Sequence, residues 1–264
     1  MQVSQLAFDR ATAERLEAAY RSRDVVRRRE LVYAALDARP GERIVDVGCG
    51  PGFFVEELLD RVGPGGAVTG VDRSAEMLAV AAARIEGRPN GSLLEGEAAA
   101  VPVADGAFDA AVCVQVLEYV ADVDSALAEL FRVVRPGGRA VVWDVDWSTV
   151  SWHSADPGRM ERALAAWDGH LAHPALPRTL SARLGRAGFR DVVARGHAFV
   201  SLDLSPDAYI GAVFPLVDSY VRESAAFPAA EAAAWAREQR RLSERGEFFF
   251  ACIQCCFTAV KPSA

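Results

Sequence analysis

The sequence predicts an α/β protein built on a single doubly wound sheet. From about residue 40 to 146, short apolar runs alternate with amphipathic segments, and turns rich in glycine and proline separate them. Alternation of strand and helix implies parallel strands joined by right-handed crossovers. The chain of 264 residues is long enough for one such core with an added helical cap.

The first part of the chain is predicted to be helical from residue 11 to 38, because apolar residues recur there at helical spacing until Pro40-Gly41. Five strands and three intervening helices follow. The strands are predicted at Arg43–Val47, Ala67–Val71, Ser92–Glu95, Ala110–Val116 and Ala140–Val145, and the helices at Phe53–Val62, Ala75–Ile85 and Ser125–Val134.

The pattern changes after residue 146, since residues 147–180 hold three of the five tryptophans and three of the four histidines. Helices are predicted from about Pro206 to Ser224 and from Ala229 to Arg245, with strands at Phe189–Val200 and Phe248–Val260. We therefore expect residues 1–40 to form a helical cover and residues 41–146 a ligand-binding core. Residues 147–264 would supply lid insertions (about 147–180 and 203–245) and the last two of seven mostly parallel strands.

Composition narrows the function classes. The net charge of −7 argues against a nucleic-acid partner, and the basic run between Arg21 and Arg29 is interpreted as a solvated helix face. The first ten residues show no apolar signal segment, and Phe248–Val260 is too short to cross a bilayer. We therefore expect a cytoplasmic protein without membrane insertion. The five cysteines are expected to be reduced thiols rather than metal ligands.

The motif most suggestive of a binding site is VDVGCGPG at residues 45–52, where a buried strand enters a glycine-rich turn that opens a helix. Glycines allow the sharp turn and the close approach of a ligand, and the first amides of the helix attract a carboxylate or phosphate. Asp72 ends the second strand, 24 positions after Gly48, where a carboxylate can accept both hydroxyls of a ribose.

Three further motifs follow in order: EGEA at residues 95–98, FDAAVCVQVLEYV at 108–120 and LFRVVRPGG at 130–138. The ordered set resembles the motifs of class I S-adenosylmethionine-dependent methyltransferases, in the branch of the ubiquinone and menaquinone biosynthesis enzymes. The resemblance covers about residues 40–146 and implies a Rossmann-like fold. A nicotinamide or flavin dinucleotide is disfavoured, because its fingerprint needs a third glycine where Phe53 stands.

The resemblance implies roles for residues around the predicted cleft. Asp46, Gly48, Cys49, Gly50 and Gly52 would hold the methionine half of S-adenosylmethionine, Asp72 its ribose with Arg73 and Met77 alongside, Glu97 and Ala98 its adenine, and Gln115, Val116 and Leu117 would lie near the sulfonium. Tyr20 and Arg29 would close over the cofactor carboxylate, or else only pack or face solvent. The family often has histidine at the position of Tyr119, so no role is transferred to that residue.

Methyl transfer from a sulfonium depends largely on alignment, and a general base is needed only if the acceptor must lose a proton. We expect the acceptor near Tyr119, Asp146 and Trp147, above the ends of the fourth and fifth strands. Candidate bases are His153, His173 and Asp144, with a structural role for His153 equally open.

The helix at 206–224 is apolar around more than half its circumference, so it either roofs an apolar acceptor pocket or supports a homodimer interface. The predicted function is methylation of a small, hydrophobic or aromatic acceptor on carbon, nitrogen or oxygen, in quinone or specialised metabolism. The alternatives are a cofactor-binding regulatory or scaffold protein without transfer activity, and a protein or RNA methyltransferase.

Overall fold

The computed structural model describes residue 17 and residues 19–263, which contain a seven-stranded sheet in the order β3-β2-β1-β4-β5-β7-β6. Strands β1 to β5 are parallel, whereas β7 runs antiparallel to both β5 and β6. The predicted doubly wound, mostly parallel sheet is therefore confirmed. The strands are β1 Arg43–Val47, β2 Ala67–Asp72, β3 Gly91–Glu95, β4 Phe108–Val114, β5 Val134–Trp152, β6 Arg190–Ser201 and β7 Phe250–Val260.

The helices lie on both faces of this sheet. They are α1 Arg23–Leu36, α2 Phe53–Val62, α3 Ala75–Arg84, α4 Val123–Val133, α5 Pro157–Asp168, α6 Pro177–Arg186, α7 Tyr209–Glu223 and α8 Ala229–Glu244, with a short 3-10 turn at Leu117–Tyr119. Alternation along the strands separates two cores, since Ile44 packs with α1 and α2 while the next residue, Val45, packs with α4 and α6.

The N-terminal helix differs from the prediction. Residues 11–16 and 18 of the predicted helix lie outside the described residues, and residues 19–21 are helical. The helix is interrupted at Ser22, whose backbone is extended (φ −64°, ψ 147°), and resumes as α1. Because of this break, Tyr20 lies over the turn between β1 and α2, where its ring stacks on Phe53 with centroids 5.1 Å apart.

The region predicted as a lid divides differently from the expectation. Strand β5 continues to Trp152, so residues 147–152 extend the sheet, and α6 packs against β5, β6 and β7. The cap consists of α5, α7 and α8, which meet around Trp152, Phe214 and Trp235. Within the described part of the chain, no helix is both long and apolar enough to cross a membrane.

Candidate functional site

The sheet order places a crevice between β1 and β4. The chain leaves β1 toward β2 and β3, then returns to β4 on the other side of β1, so the loops at the carboxyl ends of β1 and β4 diverge. A cleft of about 320 Å³ opens at this point. Its lining includes Tyr20, Gly48, Gly50, Asp72, Arg73, Met77, Glu97, Ala98, Gln115, Val116 and Tyr119, all singled out from the sequence.

The turn after β1 is shaped by its glycines. Gly48 has a φ of +78°, and a Cβ atom there would lie 2.2 Å from Val116 Cγ2. A Cβ atom on Gly50 would meet only the Tyr20 hydroxyl, at 3.6 Å, so the backbone at Gly50 faces the cleft. Beside it, the amino end of α2, which begins at Phe53, carries backbone N–H groups that have no acceptor within the helix and can favour a negatively charged ligand.

Asp72 is held by the backbone on both of its oxygens. Its Oδ2 accepts a hydrogen bond from the Gly50 amide at 2.8 Å, and its Oδ1 accepts one from the Ser74 amide at 2.9 Å. Each carboxylate oxygen can accept a further hydrogen bond. The carboxylate is therefore fixed at the end of β2 with capacity for two neighbouring hydroxyl groups.

A recess beside the glycine turn contains Asp46, Cys49 and Arg28. Asp46 is buried, and its Oδ2 has no hydrogen-bond partner among the described residues; burial, and secondarily Asp72, raise its pKa to about 8. The buried Arg28 Nε likewise has no partner among the residues described. Buried polar atoms are normally paired, so a carboxylate oxygen and a guanidinium nitrogen that both lack partners in this recess fit the ammonium and carboxylate groups of an amino acid.

Arg28 therefore stands where the sequence pointed to Arg29. The Arg29 guanidinium donates to Glu57 Oε1 at 3.0 Å and to the Tyr20 carbonyl at 2.6 Å, and it lines neither the cleft nor the recess. Arg28 instead donates to the Gln115 side chain. Both arginines are buried, but only the packing of α1 shows that Arg28 is the one that reaches the recess.

A second cavity, of about 100 Å³, adjoins the cleft and shares Tyr20, Gln115 and Tyr119 with it. Its remaining wall is mainly apolar or aromatic: Ala19, Val25, Trp147, Trp167, Tyr209, Ala212, Val213 and Leu216, together with Arg28. Helix α7 contributes Tyr209, Val213 and Leu216 to this roof, while Phe214 and Val217 are buried in the cap. Trp167, on α5, forms part of the wall.

None of the three candidate bases lines the cleft or the second cavity. His153 is exposed in a separate groove with Val150 and Phe249. A ring nitrogen of His173 lies 3.2 Å from the Ala121 carbonyl, at the rim of the cleft. Asp144 is fully buried, and burial, with the neighbouring Glu118, raises its pKa well above the usual value. Of the aromatic segment, Trp147 and Trp167 line the second cavity, whereas His153 and His173 line neither cavity.

Four other residues singled out from the sequence support the site without lining either cavity. Asp146 forms an ion pair with Arg178, 3.1 Å between Oδ2 and Nε. Gly52 allows α2 to approach Ala81, which lies 2.8 Å from where a Cβ would stand, and Leu117 is buried in the core. Cys49 lies in the recess, and burial raises the pKa of its thiol.

Comparison with known proteins identifies the family of this chain. The family model described as a methyltransferase domain matches residues 45–142. Over 172 residues the chain is 34% identical to the 2-phytyl-1,4-naphtoquinone methyltransferase of Thermosynechococcus vestitus, covering 60% of this chain and 76% of that protein. The chain belongs to the class I S-adenosylmethionine-dependent methyltransferases. S-adenosylmethionine is accordingly the cofactor of this family.

Other similarities are shorter. A 117-residue segment is 45% identical to an uncharacterized 37.1 kDa protein in transposon TN4556 of Streptomyces fradiae, covering 44% of this chain and 34% of that protein. The demethylmenaquinone methyltransferase of Thermus thermophilus is 42% identical over 116 residues, 44% of this chain and 52% of its own length. The chain thus spans between a third and three quarters of these three relatives. The YcgJ protein of Bacillus subtilis shares the fold, with a TM-score of 0.60, 18% identity, and coverage of 89% of this chain and 98% of its own.

Proposed function

We propose that this methyltransferase transfers the methyl group of S-adenosylmethionine to a small, hydrophobic or aromatic acceptor. The observation that carries the proposal is the contact between the two cavities at Tyr20, Gln115 and Tyr119. A cofactor lying in the larger cleft would present its sulfonium at this junction. The acceptor would then occupy the second cavity, whose wall is largely aromatic and aliphatic.

The residues in the cleft fit each part of the cofactor. Arg28 and the amino end of α2 would hold the carboxylate, Asp46 the ammonium group, and Asp72 the two ribose hydroxyls. Glu97 and Ala98 would border adenine, beyond the end of β3. Tyr20 would close over the methionine end, as its stacking on Phe53 already places it across the turn.

When bound, S-adenosylmethionine supplies a methyl group that is already activated for displacement. The chain's own contribution is alignment of the acceptor and exclusion of water, which can account for much of a rate enhancement. Trp147, Trp167 and Leu216 would hold an apolar acceptor against the junction. The quinone-methylating relatives make a naphthoquinol the first acceptor to test, and the methylated atom and the pathway follow from the product.

Titration calorimetry with S-adenosylhomocysteine tests the cofactor site, and mass analysis of products from S-adenosylmethionine and a reduced naphthoquinone tests transfer. Asp72→Ala should weaken S-adenosylhomocysteine binding by about 1–3 kcal/mol, because buried hydrogen-bonding groups lose their partner. Asp105→Ala is the control, since that carboxylate is exposed and pairs with Arg132 outside the cleft. Equal affinity of the two variants would contradict the ribose assignment, and absence of a methylated product from every small aromatic acceptor tried would contradict the transfer activity.

A further inference from the structure

We infer that Glu118 is a positioning residue, whose buried carboxylate fixes the side chains of Trp147 and Tyr119 as walls of the acceptor pocket. This inference rests on the proposed function, because it assigns the second cavity to the acceptor. Glu118 itself lines neither cavity, so it would act through the two aromatic side chains rather than on the acceptor.

The contacts of the carboxylate lead directly to the pocket. Glu118 follows β4 in the 3-10 turn and is fully buried. Its Oε2 accepts a hydrogen bond from Trp147 Nε1 at 3.0 Å. The Tyr119 hydroxyl acts on the same carboxylate and lowers its pKa. Both aromatic residues line the second cavity, and Tyr119 also lines the cofactor cleft.

The backbone of Glu118 also forms hydrogen bonds with the segment that follows helix α5 of the cap. Its carbonyl oxygen accepts hydrogen bonds from the amides of Ala172, at 2.9 Å, and His173, at 3.1 Å, in the turn that follows α5. Helix α5 carries Trp167, whose ring meets that of Trp147 edge-on with centroids 5.6 Å apart. Glu118, which follows β4, therefore contacts Trp147 and Tyr119 directly and Trp167 through Trp147. All three aromatic rings line the pocket.

Burying the carboxylate of Glu118 at this position is unfavourable for stability. A buried carboxylate loses its hydration, and an apolar residue of similar size would often serve stability as well or better. Burial raises the pKa of Glu118 to about 7, while Trp147, Arg28 and Tyr119 lower it. Three of the groups that compensate the carboxylate thus line the acceptor pocket, which favours a role in organising that pocket over a role in general packing.

The test replaces the tryptophans with 5-fluorotryptophan and follows the fluorine NMR resonance assigned through Trp147→Phe. Glu118→Ala removes the acceptor of the indole N–H, whereas Glu118→Gln retains an oxygen that can accept it. We expect Glu118→Ala to shift or broaden the Trp147 resonance and to weaken binding of 1-naphthol to the S-adenosylhomocysteine complex about tenfold, the loss of roughly one buried hydrogen bond. Affinity for S-adenosylhomocysteine should stay within about twofold, and Glu118→Gln should resemble the wild type.

Glu238→Ala is the matched control for loss of a buried acid. Glu238 Oε1 accepts from Ser154 Oγ at 2.8 Å and the Ala155 amide at 2.6 Å, and Oε2 from Arg159 at 2.5 Å, all within the cap and outside both cavities. It should lower stability without moving the Trp147 resonance or 1-naphthol affinity. The inference is overturned if Glu118→Ala leaves both at wild-type values, or if Glu238→Ala changes them equally.

A pH titration keeps the inference testable should Glu118→Ala fail to fold. The wild-type Trp147 resonance should move as Glu118 takes up a proton below about pH 7, and it should not do so in Glu118→Gln. The ionisable groups that act on Glu118 come from four elements: Arg28 on α1, Asp144 on β5, Tyr209 on α7 and Cys252 on β7. If the Trp147 resonance shows the same pH dependence in the wild type and in Glu118→Gln, the inference is overturned.

Failure of the wild type to bind S-adenosylhomocysteine would instead contradict the proposed function. The two results can be told apart because the Trp147 resonance is measured without cofactor.

Discussion

The cleft and the proposed acceptor pocket share three side chains, yet they are built in different ways. The loops that follow β1 to β4 form most of the cleft, and its key contacts are backbone amides and the short carboxylates of Asp46 and Asp72. The pocket collects side chains from α1, the turn after β4, β5, α5 and α7, spread from residue 19 to residue 216. Backbone geometry therefore shapes the cleft, and packing of large side chains shapes the pocket.

The family model covers the region that forms most of the cleft and omits much of the pocket. The family model ends at residue 142, before Trp147 and before the helices that complete the pocket. A site made from backbone and glycine depends on a short local motif, which can be recognised across distant relatives. A pocket made from side chains on several elements can change one residue at a time, so it is the part in which relatives with one cofactor can differ in acceptor.

The largest effect is expected from Gly48→Ala, which should damage the cleft through its backbone. A Cβ atom there would lie 2.2 Å from Val116 Cγ2, at a φ of +78°. Positive φ and overpacking each cost about 1–3 kcal/mol, so S-adenosylhomocysteine affinity should fall about thirtyfold or more by calorimetry.

Gly87→Ala is its control, because Gly87 has the same φ of +78° and a Cβ there would meet nothing within 4 Å. It should lower stability by about 1–2 kcal/mol and leave cofactor affinity unchanged. If both variants bind S-adenosylhomocysteine equally well, the contact between Gly48 and Val116 does not shape the cleft.

A smaller effect, confined to the pocket, is expected from Val213→Trp. Val213 lies in the α7 roof of a cavity of about 100 Å³, which an indole ring would fill. Turnover of the acceptor should fall at least about tenfold, while S-adenosylhomocysteine affinity changes less than about twofold. Val193→Trp, on the exposed outer strand β6 where Val193 is 47% accessible, should change neither quantity. An equal loss of cofactor affinity in Val213→Trp would show that the two sites are not separable.

The smallest effect concerns protons at Asp46. Burial raises its pKa to about 8, so the free protein carries this group mostly protonated at neutral pH. The cofactor's ammonium group favours the ionised form, and binding should therefore release a proton near pH 7. Affinity should rise with pH up to about 8 by at most tenfold per unit and then level off. Calorimetry in buffers of different ionisation enthalpy measures the release, which Asp46→Asn should abolish; an equal release in that variant would assign the proton to another group.

Predictions from the sequence were most accurate where the pattern is local. The bounds of β1 and α2 match the prediction, and the cleft contains the glycine turn, Asp72 and Glu97 together, because each follows a strand of one parallel sheet. The structure places Arg29 outside the cleft and the recess, and β5 is longer than predicted. Neighbouring arginines differ by about 100° around a helix, and the antiparallel partner β7 extends β5 to Trp152.

The sequence by itself determined the sheet and the loops at the ends of its strands, since strand periodicity, glycine turns and strand-end carboxylates act over a few residues. The resemblance of its ordered motifs to a family indicated the cofactor. Only the tertiary structure decided that Arg28 lines the recess and the second cavity, that His153 lies away from the cleft, and that Glu118 accepts a hydrogen bond from Trp147. Those outcomes depend on how α1, β5 and the cap pack against one another. Packing of this kind joins residues far apart in the chain, and no local pattern records it.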